Sequence, residues 1–417
     1  MVLRLGCIAD DITGGTDLAL ALSSKGLKVV QILGQASGYA PDADAVVISL
    51  KIRTAPVRDA VAAANQACET LQQWESEQIY FKYCSTFDST QEGNIGPIAE
   101  ALAAHIGADT IPFVPSFPGN GRIVRGGYLY VNQQLISDSP MKDHPLTPMT
   151  EPDLCIHLRS QIRNAQVDLI ALEIVEEGPI AVKQTMQDCA AAGSSFLIVD
   201  SVTKTHLNTV ALACTDLSLL TGGSAFAGAI AANFNDNHNG DNAAQWHPTQ
   251  NGPIAILSGS CSAASNEQVQ RAAKFHPVFK LAITSHLPSL IHDAKNNLDA
   301  GTILISSTAE PNQVVATQAE YGKDNASKMI ERSFGEIASA LYEHGVRTFI
   351  IGGGETSGAV AAALGLKALN VGPEIAPGVP WMIDAKDSGI QIAFKSGNFG
   401  GPDFFNDAIH SLKLRWS

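Results

Sequence analysis

Short apolar runs and segments with helical spacing take turns along almost the whole chain, and this alternation is what most restricts its fold. Residues 3–9, 29–33, 45–49, 78–82 and 109–113 are strand-length apolar runs. Between them a helix is predicted from residue 16 to 25, and 57–74 and 95–105 place apolar residues on one helical face. Further strands are predicted at 168–172, 196–199 and 216–220. Such alternation implies mainly parallel sheets covered by helices on both faces, so the expected class is α/β.

The pattern breaks at residues 233–252, NFNDNHNGDNAAQWHPTQNG, which are dense in Asn, Asp, Gly and Gln. A second complete series follows: strands at 254–257, 302–306, 348–352, 379–383 and 390–394, and helices at 262–275, 325–344 and 357–364. A chain of 417 residues is long for one domain. The expected division is residues 1–235, a linker at 236–252, and 253–417, each domain a parallel sheet flanked by helices with the active site in the cleft between them.

Lys and Arg number 27 against 41 Asp and Glu, a formal charge of -14. That argues against a nucleic-acid surface, which would need a basic stripe. No run of about 18 uncharged apolar residues is present, so no membrane span is expected. Seven scattered cysteines, with no CxxC, point away from a disulfide framework or structural zinc and toward a reducing, cytoplasmic setting. No signal peptide is expected at the N-terminus.

Four polar clusters follow successive strands of the first series. Asp10-Asp11-Ile12-Thr13-Gly14-Gly15-Thr16 follows the first strand. Ligands of open parallel sheets bind beyond the carboxyl ends of strands, which is where these carboxylates fall. Paired carboxylates can take a hydroxyl proton or bind Mg2+, while one Asp could equally be a turn or cap residue. Gly14 and Gly15 are expected to allow a close turn, with Thr16 capping the next helix. Segments 49–54, with Lys51 and Arg53, 82–90, with Lys82 and Asp88, and 115–122, ending in Arg122, are the other three. Cations, amides and hydroxyls together suit a small polyhydroxy acid, and the recurrence of such loops at successive strand ends is the signal. His144, in a Pro-rich loop, reads as an ordinary loop histidine.

The second series carries Gly352-Gly353-Gly354-Glu355-Thr356-Ser357-Gly358 between a strand and a helix. Bare glycines at such a turn free backbone N–H groups for phosphate oxygens, although a purely structural turn reads the same way. Ser258-Gly259-Ser260-Cys261-Ser262 and Lys395-Ser396-Gly397-Asn398-Phe399-Gly400-Gly401 follow two other strands. Three Gly/Ser turns at strand ends suit a nucleotide, and Lys395 could be a charge partner. Residues 372–380 read as a rigid loop that could wall a base.

IADDITGGTDLA, GGGETSGAV, KYCSTFDSTQEGNIGP, GPEIAPGVPW and KSGNFGGPDFF together resemble the four-carbon acid sugar kinase family, in its 3-oxo-tetronate kinase branch, in order and over essentially the whole chain. The resemblance implies a sugar-acid domain followed by an ATP domain. It implies ATP-dependent phosphorylation of the terminal (C4) hydroxyl of 3-oxo-tetronate, with ATP and Mg2+ as cofactors and a small sugar acid as partner. By the same match Ser258, Gly352, Gly353, Gly354, Glu355, Thr356, Gly397 and Gly400 are ATP-contact candidates. Arg53, Lys82, Asp88 and Arg122 are substrate candidates, and Asp10 and Asp11 are the catalytic pair. Metal ligands and oligomeric state stay open, a homodimer included. The CSTFDST segment differs from its counterpart in D-threonate and D-erythronate 4-kinases, the alternative substrates. Ala commonly stands in that family where this chain has Gly15, for which a looser turn is the expected consequence. An NAD-dependent dehydrogenase is disfavoured by the absence of GxGxxG, and a non-catalytic sugar-acid sensor by paired carboxylates facing a phosphate cradle.

Overall fold

The strand-length runs of the sequence do become strands, and almost every one is fully buried, as expected for strands covered on both faces. A computed structural model describes residues 3–36, 38, 40–143, 147–234, 252–307, 320–386 and 389–416. The chain divides into two compact units, Met1–Asn242 and Ala243–Ser417. The expected linker, apart from Gly252, and His144 lie outside the described residues.

In the first unit eight parallel strands form a sheet in the order β2 (Val29–Leu33), β3 (Ala45–Ser49), β1 (Leu5–Ala9), β4 (Gln78–Lys82), β11 (Leu219–Gly222), β5 (Ile111–Val114), β10 (Phe196–Val199), β9 (Val167–Ile170). Ala9 pairs with both Ser49 and Lys82, and Lys82 with Gly222. These strands therefore end level, and the loops that leave them share one rim. Helices α1 (Ile12–Ser23), α2 (Val57–Gln73), α3 (Ile95–Ile106) and α4 (Leu154–Gln161) lie in this unit. So do α5 (Leu172–Glu177), α6 (Pro179–Ala191), α7 (Lys204–Ala213) and α8 (Ser224–Ala232). A separate antiparallel sheet of β6 (Arg122–Arg125), β7 (Tyr128–Val131) and β8 (Gln134–Leu135) follows β5 and was not expected from periodicity.

In the second unit β13 (Val278–Lys280), β14 (Thr302–Ser306), β12 (Ile254–Ser258), β15 (Thr348–Gly352) and β18 (Gln391–Lys395) run parallel in that order. Antiparallel β17 (Val379–Asp384) and β16 (Ala368–Ala376) extend the sheet beyond β18. The segment read as a rigid loop at 372–380 is thus mostly a hairpin, turning at Pro377 and Gly378. Helices here are α9 (Ala263–Ala272), α10 (Leu287–Asn296), α11 (Lys323–Glu343), α12 (Gly354–Ala363) and α13 (Phe404–Trp416). Trp381, Phe404, Phe405 and Leu412 pack a core on one face, and the Trp381 indole donates to Ser411 Oγ.

Candidate active site

The first helix begins earlier than its sequence suggested, because Asp11 and not Thr16 is its cap. Asp11 is extended, and its Oδ1 accepts from the Gly14 amide at 3.0 Å. Thr16 lies inside the helix, its hydroxyl on Ile12 O and Gln31 Oε1. Gly14 and Gly15 are helical and serve close approach, not a turn. A Cβ on Gly14 would lie 2.2 Å from Asp11 Oδ1 and 3.5 Å from Lys82 Nζ, and one on Gly15 only 1.9 Å from Ser49 Oγ.

Around this helix start four of the predicted residues come together. Arg53 grips Asp10 with both edges of its fork, Nε to Oδ2 and Nη2 to Oδ1, each at 2.8 Å. The same Nη2 donates to Asp11 Oδ1 at 2.7 Å, and Nη1 stands 3.6 Å from Asp88. Asp11 Oδ2 accepts from the Thr13 hydroxyl, and Asp88 from the Thr86 hydroxyl. Asn94 holds the loop that carries Arg53 by donating to Ile52 O and Ala55 O. Thr13, Thr86 and Asn94 were missed as site residues; they lie inside the quoted motifs, but no spacing rule assigns them a partner.

The electrostatics separate the two adjacent carboxyls. Burial raises Asp10, outweighing the lowering effect of Arg53. Burial also acts to raise Asp11, but Arg53, Lys82, Thr13 and the Gly14 amide overcome it and hold that carboxyl below the usual range. Lys82 is buried, and its ammonium sits over Gly14 with a single hydrogen bond, to Tyr83 O at 2.7 Å. Its other N–H groups meet no hydrogen-bond acceptor among the described residues.

Arg122 is elsewhere: it opens β6, and its guanidinium donates to Asn120 O. Among the described residues no hydrogen bond or ion pair joins it to Asp10, Asp11 or Asp88.

In the second unit Ser258, Gly352 and Lys395 end three neighbouring strands in register, so the three Gly/Ser turns leave at one level. The turns touch. Added Cβ atoms would lie 2.1 Å from Thr356 Oγ1 at Gly259, 3.2 Å from the Ser260 amide at Gly353, and 2.5 Å from Ser260 Oγ at Gly397. Gly353 (φ +117°) and Gly400 (φ +79°) adopt backbone geometry that favours glycine. Gly354 and Glu355 open α12, so the backbone N–H groups of its first turn add favourable partial charge for an anion. Bare amides, hydroxyls and a helix start in one place fit nucleotide phosphates and sugar.

Residues 5–230 match the model of a sugar-binding N-terminal domain, and 255–405 that of a nucleotide-binding C-terminal domain. A 3-oxo-tetronate kinase of Pseudomonas savastanoi pv. phaseolicola is 42% identical, over 98% of this chain and 97% of its own length. One of Haemophilus influenzae is 39% identical over 97% and 98%. Among solved structures, a Salmonella typhimurium LT2 protein provisionally named a tRNA synthase superposes with a TM-score of 0.88 at 35% identity, covering 98% of this chain and 100% of its own. A Haemophilus influenzae protein does so at 0.80 and 38%, with the same coverage.

Proposed function

The chain belongs to the four-carbon acid sugar kinase family, and on that footing we propose that it transfers the γ-phosphoryl group of ATP to the C4 hydroxyl of 3-oxo-tetronate, giving 3-oxo-tetronate 4-phosphate in four-carbon acid sugar catabolism. The observation that carries this reading is the Asp10–Arg53–Asp11 cluster at the carboxyl end of β1, two adjacent carboxyls with their proton affinities driven apart. A pair tuned in this way divides the labour. Asp10, the more basic, takes or orients the hydroxyl proton. Asp11 stays ionised, caps α1 and fixes Arg53.

With the Arg53 fork held by Asp10 and Asp11, the substrate carboxylate falls to Lys82, whose spare N–H groups lie beside the cluster. Asp88, through its second oxygen, and Thr86 suit the remaining hydroxyls. The turns at Ser258, Gly352–Thr356 and Gly397–Gly400 hold ATP, with Glu355 at the start of α12. Mg2+ would arrive on the nucleotide and screen the charge of the transferring phosphates. Among the described residues no three His, Cys, Asp or Glu side chains converge as a metal site of their own. Phosphoryl transfer needs donor and acceptor oxygens in line, so the cycle must bring the acid of the first unit to the nucleotide of the second.

Seven free thiols support a cytoplasmic setting, and among the described residues no helix is long and apolar enough to cross a membrane. A tRNA partner fits poorly with a formal charge of -14. The test is ATP consumption with 3-oxo-tetronate, D-threonate and D-erythronate, alongside an NAD reduction assay. The reading expects 3-oxo-tetronate to give the highest kcat/KM. Preference for either of the other acids, or reduction of NAD, would overturn it.

A further inference from the structure

Lys395 ends β18, inside the nucleotide unit, and its side chain is fully buried. Its ammonium meets no carboxylate. It donates instead to Ser265 Oγ at 3.2 Å and to Ser396 O and Gly397 O at 2.9 Å each, using all three of its donors. Gly397 O also accepts from Ser262 and Ser265 of the α9 start, at 2.7 and 2.9 Å. Gln268 of α9 donates to Phe399 O, Gly400 O and Gly401 O. Five carbonyls of the 396–401 loop are therefore drawn inward. The amides of Gly397, Asn398, Gly400 and Gly401 donate to no acceptor among the described residues, and this side of the loop is partly exposed. Inward carbonyls and outward amides are the makings of an anion cradle.

We propose that Lys395 is a positioning residue of the nucleotide site: its buried ammonium folds the 396–401 loop with its carbonyls inward, presents the outward amides to the nucleotide phosphates, and binds its proton more tightly when that anion is in place. This rests on the ATP reading of the same unit. Burial alone lowers the lysine, to about 7, with no charged neighbour contributing. On the packed elements Glu267 and Arg271 of α9 pair with each other and Arg271 with Asp403, and α12 and α13 add Glu355 and Asp407. The other close neighbour is the Phe404 ring, 5.9 Å from Nζ. A neutral amine has two donors for three oxygens, so deprotonation loosens the loop. A bound polyphosphate favours the charged form, which makes nucleotide affinity and proton uptake two sides of one equilibrium.

The test is calorimetry of MgADP binding to the full chain at pH 8, in buffers of differing ionisation enthalpy, for wild type, K395M and K395R. Wild type is expected to take up close to one proton per ADP, and its Kd to rise by up to about tenfold per pH unit above 7. K395M is expected to bind about tenfold or more weakly with no uptake. K395R, charged throughout, is expected to bind with no uptake and an affinity flat across that pH range. Should K395M fail to fold by circular dichroism, the wild-type uptake and the flat K395R profile decide. Wild-type affinity and uptake in K395M, or no uptake in wild type, overturns the proposal while leaving a kinase that turns over ATP. A wild type that binds no ADP and consumes no ATP overturns the reading beneath it.

Discussion

Gly15 shows how one hydrogen in place of a methyl decides the chemistry around it. Ser49 Oγ and the Gln31 amide, themselves hydrogen-bonded at 2.9 Å, occupy the space a Cβ would need. The sequence marked this glycine as a departure that loosens a turn; the structure places it in a tightly packed helix. Gly15→Ala is expected to cost about 1–3 kcal/mol in denaturant unfolding, and Ser49→Ala in the same chain to recover part of it. A single variant as stable as wild type would contradict this packing. Asp11 supplies a second case. Its folded pKa is held low, so its contribution to stability is present above the unfolded value of about 4 and is lost as pH falls through the folded value. Asp11→Ala should cost about 1–3 kcal/mol at pH 7, through the lost cap and the lost Arg53 partner. The gap to wild type should close below pH 4, and a gap constant in pH would rule this account out. Asp10, Asp11, Arg53 and Asp88 were legible as candidates because polar residues at the ends of apolar runs stand out. Their roles were not, since the sequence carries no sign that Arg53 spends its fork on Asp10.

At the scale of elements, α4 is the least expected and most informative. Its Gln161 donates to Ser89 Oγ at 2.7 Å and Thr90 O at 2.6 Å, and accepts from the Gly96 amide at 2.8 Å, tying the Asp88 loop to the start of α3. One turn earlier His157 is buried edge-on to Phe87, a residue held at φ +53°, and burial lowers it to about 4. Its unfolded value is about 6.5, so the unfolded chain takes the proton first and stability falls between pH 6.5 and 4, by about 3 kcal/mol at most. His157→Gln is expected to flatten that limb in urea titrations; an unchanged slope would show that His157 does not carry it. Gln161→Leu leaves buried donors and acceptors unmet and is expected to raise KM for the acid while leaving KM for ATP unchanged. Equal rises in both would contradict a role confined to the Asp88 loop. Periodicity revealed the long strands and helices but not β6–β8, whose strands of two to four residues are too short to show a period. Of the 368–384 hairpin it revealed the second strand but not β16, because glycine and proline at 372–380 mimic a loop.

For the whole molecule, the two series of strands and helices announced two units, and their parallel sheets followed from the alternation. Strand order was out of reach. β11 slots between β4 and β5, and β18 beside β15, so that Lys395 reaches the Gly352 turn from 43 positions along the chain. That juxtaposition is a matter of topology, which local spacing does not encode. The net charge of -14 acts at this scale too: it disfavours a basic nucleic-acid surface, and under the proposed function anion capture falls to local amides and to the buried Lys82, with Lys395 holding its loop from behind. On the proposed mechanism an acidic pair in the first unit delivers an alcohol to a phosphoryl group held by the second. The most direct measurement is phosphorus and carbon NMR of the product made from MgATP and 3-oxo-tetronate by wild type and Asp10→Asn. Phosphate on the C4 oxygen is expected from wild type, with at least a hundredfold loss of that signal's growth rate in the variant, the usual scale for a removed general base. Phosphate at another position, or an Asp10→Asn enzyme as fast as wild type, would contradict it.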